Sequence, residues 1–414
     1  MFDTFDTALS GLNADTTAIN IIGNNLSNLN TVGYKSDEVQ FSDLISQQIG
    51  GTTSNFAVGL GVGPAQDVKQ FTQGSITQTN GPMDAAISGN GFFVVQDNTG
   101  QQLYTRAGNF QIAKDGSLLT ASGDHVQGWN ANGTNLNLSA PISNIQIPVN
   151  GVVPATATQN LSLTANLDAT AVVGAANATF SSPVQVVDSQ GALHTLTFSF
   201  TKTGANAWSY TVSIPAADLG TGGNTQVATG SLTFDSNGNL TSPASGKPVA
   251  LKITGLADGA TDMNVNWNLY NGTQGLLTQF AQTSGVSADT QDGMQAGQIT
   301  NVSMGANGAI VASYSNGQQS TVAQLALASI QNPASMISVG DNNLKATIDT
   351  AAPAIGAANS GGRGKIAGQS LESSTVDIAK QFTNLIAFQQ SYAANSKVIS
   401  TADQMLQTLI AVKQ

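Results

Sequence analysis

Both ends of this chain carry long helical stripes of large apolar side chains, and the sequence between them is patterned for β-structure. At the start, Phe2, Phe5, Leu9, Leu12, Ile19 and Leu26 recur at alternating spacings of three and four, with Thr16 and Gly23 filling the remaining positions. Such a spacing puts the side chains on one stripe of a helix, and it predicts a helix over residues 2–26. Asp3 and Asp6 fall in its first turns, where carboxylates favour the helix dipole. At the other end, Ile378, Phe382, Leu385, Tyr392, Ile399, Leu406 and Ile410 repeat the pattern, and Phe388, Val398 and Leu409 widen it. Ser374 and Asp377 stand in a capping-box arrangement before that helix, which is expected to run almost to the last residue.

The N-terminal stripe runs into "GNNLSNLNTVGYKS", residues 23–36. Glycine and asparagine tolerate left-handed backbone geometry and so end or loosen helices. Ser27, Asn28, Asn30 and Thr31 are suited to satisfying the freed backbone groups, and Gly33 to turning the chain before Tyr34 and Lys35. We therefore expect a joint at Gly23, Asn24, Asn25, Asn28 and Gly33. An ordinary helix C-cap followed by a loop would use the same local chemistry.

Between the ends the period is two. In "ALHTLTFSF", His194, Leu196, Phe198 and Phe200 share one face, and in "AWSYTVSI" Trp208, Tyr210, Val212 and Ile214 do. With Gly204 between them, the two runs predict a half-buried hairpin. Turn signals recur at 97–100, 115–116, 235–238, 307–308 and 316–317. No βαβ alternation is present, which argues against a parallel-sheet enzyme fold. "GLGVGP" (59–64) and "AAPAIGAANSGGRGK" (351–365) have the composition of connectors, and 154–180, poor in large apolar residues, is expected to be a domain crossing.

Composition excludes several classes of function. Only 9% of the 414 residues are charged, against about 25% in typical soluble domains. Surfaces built on hydroxyls and amides suit packing against copies of the same chain, because burying such groups costs less than burying ions. The net charge of −11 argues against nucleic acid and against anionic membranes. The absence of cysteine removes disulfides, thiolate metal sites and thiol catalysis. No apolar run approaches the roughly 18 residues that span a bilayer. The acidic opening lacks the form of a secretory signal, so the expectation is a cytosolic protein or one exported without a cleaved leader.

His125 and His194 stand alone in sequence, with no carboxylate at metal-ligand spacing beside either, and His194 is read as structural. Asp235, Asp258 and Asp262 read as turn formers. No nucleophile elbow or phosphate-cradling glycine loop is present. We expect no enzyme activity, no catalytic residue, no cofactor and no metal.

The terminal stripes then have two readings. In one they form a helical hairpin packed on the chain's own β domain. In the other they form an assembly seam between molecules, made by Phe5, Leu9, Leu12, Ile19, Leu26, Phe382, Leu385, Tyr392, Ile399, Leu406 and Leu409. The position of both stripes at the ends, beyond flexible connectors, favours the seam.

"ALSGLNADTTAINIIGNNLSNLNTVGYKS" (8–36) and "LESSTVDIAKQFTNLIAFQQSYAANSKVISTADQMLQTL" (371–409) closely resemble the terminal signatures of the flagellar rod and hook family of axial proteins. "ISGNGFFVV" (87–95), "YTRAGNFQIAKDGSL" (104–118) and "GDNNL" (340–344) agree as well, and "VQVVDSQGALHTLTFSF" resembles an outer domain found in its hook branch. The chain length and the central insertion point to that branch.

The resemblance implies a mainly β, nested architecture with terminal α-helices. Residues 1–35 and 371–414 would form an α-helical coiled-coil core domain, with 36–75 and 351–370 as connectors. Residues 76–150 with 291–350 would form an intermediate antiparallel β domain, and 151–290 an outer one. It also implies unfolded export through the flagellar type III apparatus and self-assembly outside the cell into a curved, flexible tube. That tube would act as a universal joint passing motor torque to the filament. Rod, hook-cap and hook–filament junction proteins would be partners, without nucleic acid or membrane insertion. A straight distal rod-type protein and a secreted β-domain adhesin are the alternatives.

Overall fold

A computed structural model describes residues 2–44, 47–48, 57–58, 61–133, 135–149 and 151–412. It is mainly β with a helix at each end: α1 spans Phe2–Ser27 and α2 spans Ile378–Val412. The chain divides into two compact units. The first holds Met1–Val149, Asn301–Ala312 and Gln319–Gln414; the second holds Asn150–Thr300 and Ser313–Gln318. The second unit is thus an insertion in the first.

The first unit closes through strands brought together from distant parts of the sequence. The apolar strand Phe92–Gln96 pairs with Gln102–Thr105, His125–Asn130 and Leu327–Ser329, all antiparallel. Its core gathers Phe92, Val94, Tyr104, Trp129, Ala326, Ala328, Ile330, Met336 and Leu344. Returning segments complete it: Lys365–Gly368 pairs with Ala85–Ser88, and Ser370–Glu372 pairs with Ile76–Gln78. Much of the stretch expected as a connector over 351–370 is therefore sheet. Its small residues read as linker only because their hydrogen-bonding partners lie far away in sequence. The connector expected over 36–75 also contains a strand pair, Asp37–Gln40 with Gln66–Lys69. Its residues 45–46, 49–56 and 59–60 lie outside the described residues.

The second unit is a sandwich of two five-stranded sheets. One sheet contains the expected hairpin as Leu193–Gly204 and Ala207–Ser213, with Phe198 opposite Val212 and Phe200 opposite Tyr210. His194, Leu196, Phe198, Phe200, Trp208, Tyr210, Val212 and Ile214 are all buried, as the period-two pattern requires. The facing sheet is built on Asn160–Asn166. It runs antiparallel to Gly285–Gln291 but parallel to Met263–Asn268 and Leu277–Thr278. Residues 154–180 are thus not a crossing: Leu161, Leu163, Ala165 and Leu167 alternate into the core, and leucines separated by Ser and Thr are enough to make a central strand. Trp267 sits edge-on to Phe198 at 4.9 Å and to Tyr210 at 5.2 Å between ring centroids.

Candidate functional site: the helical hairpin and its anchor

α1 and α2 pack antiparallel. Ser391 Oγ donates to Asp15 Oδ2 at 2.9 Å, Asn395 Nδ2 donates to the same oxygen at 3.0 Å, and Asn25 Nδ2 lies 3.4 Å from Gln381 Oε1. Gly11 lies against Asn395 so closely that a Cβ there would sit 2.8 Å from Asn395 Nδ2. The α1 residues buried in this unit are small or polar for the most part: Ala8, Ala14, Asp15, Ala18, Ile22 and Asn25. Positions 8, 11, 15, 18, 22 and 25 form their own three–four stripe, displaced by one residue from the large apolar one.

The intrachain contact therefore leaves much of the large stripe open. Phe5 and Leu9 are 38% and 41% exposed, and Phe382 and Tyr392 are 51% and 40% exposed. Leu12, Ile19, Leu26, Leu385, Ile399 and Leu406 are half-buried. The Leu409 side chain lies outside the described residues. Ile386, Met405 and Ile410 extend the exposed apolar surface of α2. At the start of α2 the cap is Asp377 rather than a Ser374 box: Asp377 Oδ1 accepts from the Ala379 and Lys380 amides at 2.8 and 3.1 Å. Ser374 Oγ instead accepts from the Val376 amide at 3.3 Å.

The expected joint is built differently from its sequence reading. α1 continues through Gly23, Asn24 and Asn25 and ends at Ser27, so Gly23 does not break it. One isolated glycine costs only about 1 kcal/mol in a helix, and neighbouring turns outweigh that. Asn28 closes the helix end, donating its side-chain amide to Asn24 O and Oδ1 at 3.0 Å each. Asn25 is a fastener. Its Nδ2 donates to Asp37 O at 2.7 Å, and its Oδ1 accepts from the Asp37 amide at 2.9 Å and from the Tyr34 hydroxyl at 3.3 Å. Burial, and then Asp37, push the Tyr34 phenol pKa upward, which keeps it a donor. Gly33 meets the glycine requirement, with φ of +68° and Arg106 carbonyl carbon 2.5 Å from where a Cβ would stand.

An ion triad that the sequence reading missed lies beside this segment. Glu372, fully buried, accepts from Lys35 Nζ at 2.6 Å, Arg106 Nη1 at 3.2 Å and the Gly74 amide at 2.8 Å. Lys35 also donates to Thr72 O at 2.6 Å, and the Gly33 amide donates to Glu372 O at 2.8 Å. Burial lowers the Lys35 pKa; Glu372 pulls it back up, and Arg106 adds to the lowering. A signal was available: the chain has only two glutamates and two arginines, so each one invites the question of what it pairs with.

His194 also departs from expectation. It is not isolated, because folding gathers Asp188, Asp218 and Asp258 around its ring. These carboxylates come from separate loops, and sequence spacing does not register them.

Residues 5–35 match the family described as flagella basal body rod protein, and 86–155 match the flagellar hook protein FlgE/F/G D1 domain. Residues 160–294 match the flagellar basal body protein FlaE D2 domain, and 367–412 the flagellar basal body rod FlgEFG protein C-terminal family. The flagellar hook protein FlgE of Salmonella typhimurium is 34% identical over 99% of this chain and all of its own length. The Escherichia coli protein of that name is 32% identical over 99% of this chain and all of its own, and the Borreliella burgdorferi one 34% over 98% of each. The crystal structure of Helicobacter pylori flagellar hook protein FlgE2 shares the fold, with a TM-score of 0.51 at 15% identity, covering 72% of this chain and 100% of that one. Identity above 30% along essentially the whole length, with four family segments in matching order, makes this chain a member of the flagellar hook protein family.

Proposed function

We propose that the chain is the structural subunit of a bacterial flagellar hook, which polymerises outside the cell into a curved, flexible tube and passes motor torque to the filament. The observation that carries this reading is the open apolar stripe on the hairpin. Phe5, Leu9, Phe382 and Tyr392 are left exposed by an intrachain contact made from alanine, glycine and amide side chains. Large apolar side chains left open along both helices suit an interaction surface, and the weakly charged surface suits homotypic packing.

In this reading the seam is Phe5, Leu9, Leu12, Ile19, Leu26, Phe382, Leu385, Tyr392, Ile399, Leu406 and Leu409. The nested division stands as the working domain map: helical core 1–35 and 371–414, intermediate β domain 76–150 and 291–350, outer β domain 151–290. The joint lies just beyond α1, in residues 28–37, where Gly33 turns the chain and Asn25 and Glu372 fasten it. Rigid-body shifts of domains across polar interfaces would let axial spacing change as the tube turns. Export through the flagellar type III apparatus, and contacts with rod, cap and junction proteins, belong to the same proposal. The role is mechanical rather than enzymatic.

Negative-stain electron microscopy of the assembled protein tests it. Curved tubes are expected; straight rods would favour a distal rod role, and retained motility after deletion of the gene would favour an adhesin. A chain lacking residues 1–26 should keep its β units folded and form no tubes.

A further inference from the structure

The cluster around His194 in the second unit has no part in the role proposed above. His194 is 5% exposed and Asp188 is fully buried. His194 Nε2 lies 3.1 Å from Asp188 Oδ2 and 3.5 Å from Asp258 Oδ2, and Nδ1 lies 3.3 Å from Asp218 Oδ2 without forming a well-aligned hydrogen bond. Among the described residues, the salt bridges of these three carboxylates run to His194 and to no lysine or arginine. Three carboxylates around one imidazole leave negative charge uncompensated even when the ring is protonated. With Asp188 fully buried and Asp218 and Asp258 partly exposed beside it, such an excess favours a bound cation.

We infer that Asp188, His194 and Asp258 form a three-ligand site for a divalent cation of the zinc class, with Asp218 backing the imidazole and one position open to solvent. The geometry fits at three points. Two ligand atoms bound about 2.0–2.1 Å from one ion lie roughly 3.0–3.4 Å apart in octahedral or tetrahedral sites. The two separations at Nε2 are close to that range, and one ligand atom from each of the three residues falls within 4.8 Å of the others.

The outer shell is also formed. A ligating histidine normally offers its second nitrogen to a carboxylate, and Asp218 occupies that place. Asp188 Oδ1 accepts from the Gln190 and Ala192 amides at 2.8 and 2.9 Å, while Asp258 Oδ1 accepts from the Ala260 amide at 2.9 Å, so each carboxylate has its second oxygen tied. Finally, neutral imidazole plus two carboxylates balances a doubly charged ion.

The consequence is a staple. Asp188 belongs to the turn between Thr179–Val187 and Leu193–Gly204, Asp218 to the short helix Ala216–Asp218, and Asp258 to the loop before Met263–Asn268. One ion would tie the first and third directly and the second through the imidazole.

The test uses the full chain, stripped with chelator, equilibrated with zinc and washed, with metal per chain measured by elemental analysis and folding followed by circular dichroism. We expect one zinc per chain and a higher unfolding temperature with zinc than without. Asp258→Asn, a change on the solvent-facing side, should abolish stoichiometric retention without unfolding the chain. Asp218→Asn should weaken affinity about 10–100-fold. Sub-stoichiometric retention by the folded wild-type chain, or retention indifferent to Asp258→Asn, would overturn the site and leave a proton-bridged cluster in its place. Equal stabilisation by magnesium would overturn the nitrogen ligand, because magnesium takes oxygen donors.

Discussion

The sandwich of the second unit and the helical hairpin of the first solve the same problem in opposite ways. The sandwich places its largest side chains, Trp208, Trp267, Phe198 and Phe200, inside its own core, where each is almost wholly removed from water. The hairpin does the reverse: alanines, a glycine and amides face inward, and phenylalanines, leucines and isoleucines are left exposed or only half-buried. The sandwich is finished within one molecule, and the hairpin leaves its apolar burial incomplete. Large residues inside give stability to the single chain; large residues outside give it a reason to associate.

The contrast can be broken or sharpened by substitution. Trp267→Ala should have the largest effect, about 3–5 kcal/mol of lost stability from the cavity it opens, read as a lowered denaturant midpoint. If it cost no more than a surface change, the sandwich would not be self-sufficient. Glu372→Ala should cost a similar amount, about 3–5 kcal/mol, because Lys35 and Arg106 would be left as unpaired buried cations. Unlike the tryptophan change, it should also speed amide exchange around residues 33–37, where Glu372 O holds the Gly33 amide. Gly33→Ala is smaller in conformational terms, about 1–2 kcal/mol for left-handed geometry, plus whatever shift relieves the contact with Arg106. Gly23→Ala, in the helix with open space around it, should stabilise by about 1 kcal/mol. Together the two glycines separate a turn from a helix interior in one thermal-unfolding series.

A weaker effect should appear with acid. Burial opposes ionisation of Asp292, but hydrogen bonds from Asn160 and Gln159 outweigh it and hold its pKa below the ordinary 3.8. A carboxyl with a depressed folded pKa contributes stability that is fully present above its ordinary value and lost as pH falls through the folded one. Asp292→Asn should therefore lower stability slightly at neutral pH and flatten the acid limb, the two chains converging as pH falls through the folded value.

These sites were legible in the sequence to different degrees, for physical reasons. The hairpin His194–Ile214 could be read outright, because a strand with one buried face announces itself by period two. Both helices could be read, but not which stripe turns inward. The small stripe at 8, 11, 15, 18, 22 and 25 has the same helical period as the large one and far less hydrophobicity. The fastening of the joint was hidden by distance, since Lys35 meets Glu372, 337 positions further on. The same limit hid Asp218 and Asp258 around His194 and the strand Lys365–Gly368, whose partner is Ala85–Ser88. Gly23 misled because helix propensity is a weak local preference that its surroundings override.

The central claim is that the exposed hairpin stripe serves association and not the fold of the single chain. The direct test is a Leu9→Ser, Phe382→Ser double variant, measured for unfolding free energy at low concentration and for tube formation by sedimentation and negative stain. We expect a stability change within about 0.5 kcal/mol of wild type, as for surface positions, and no sedimenting tubes. Tubes at wild-type yield, or a dilute chain destabilised as severely as by Trp267→Ala, would contradict the account.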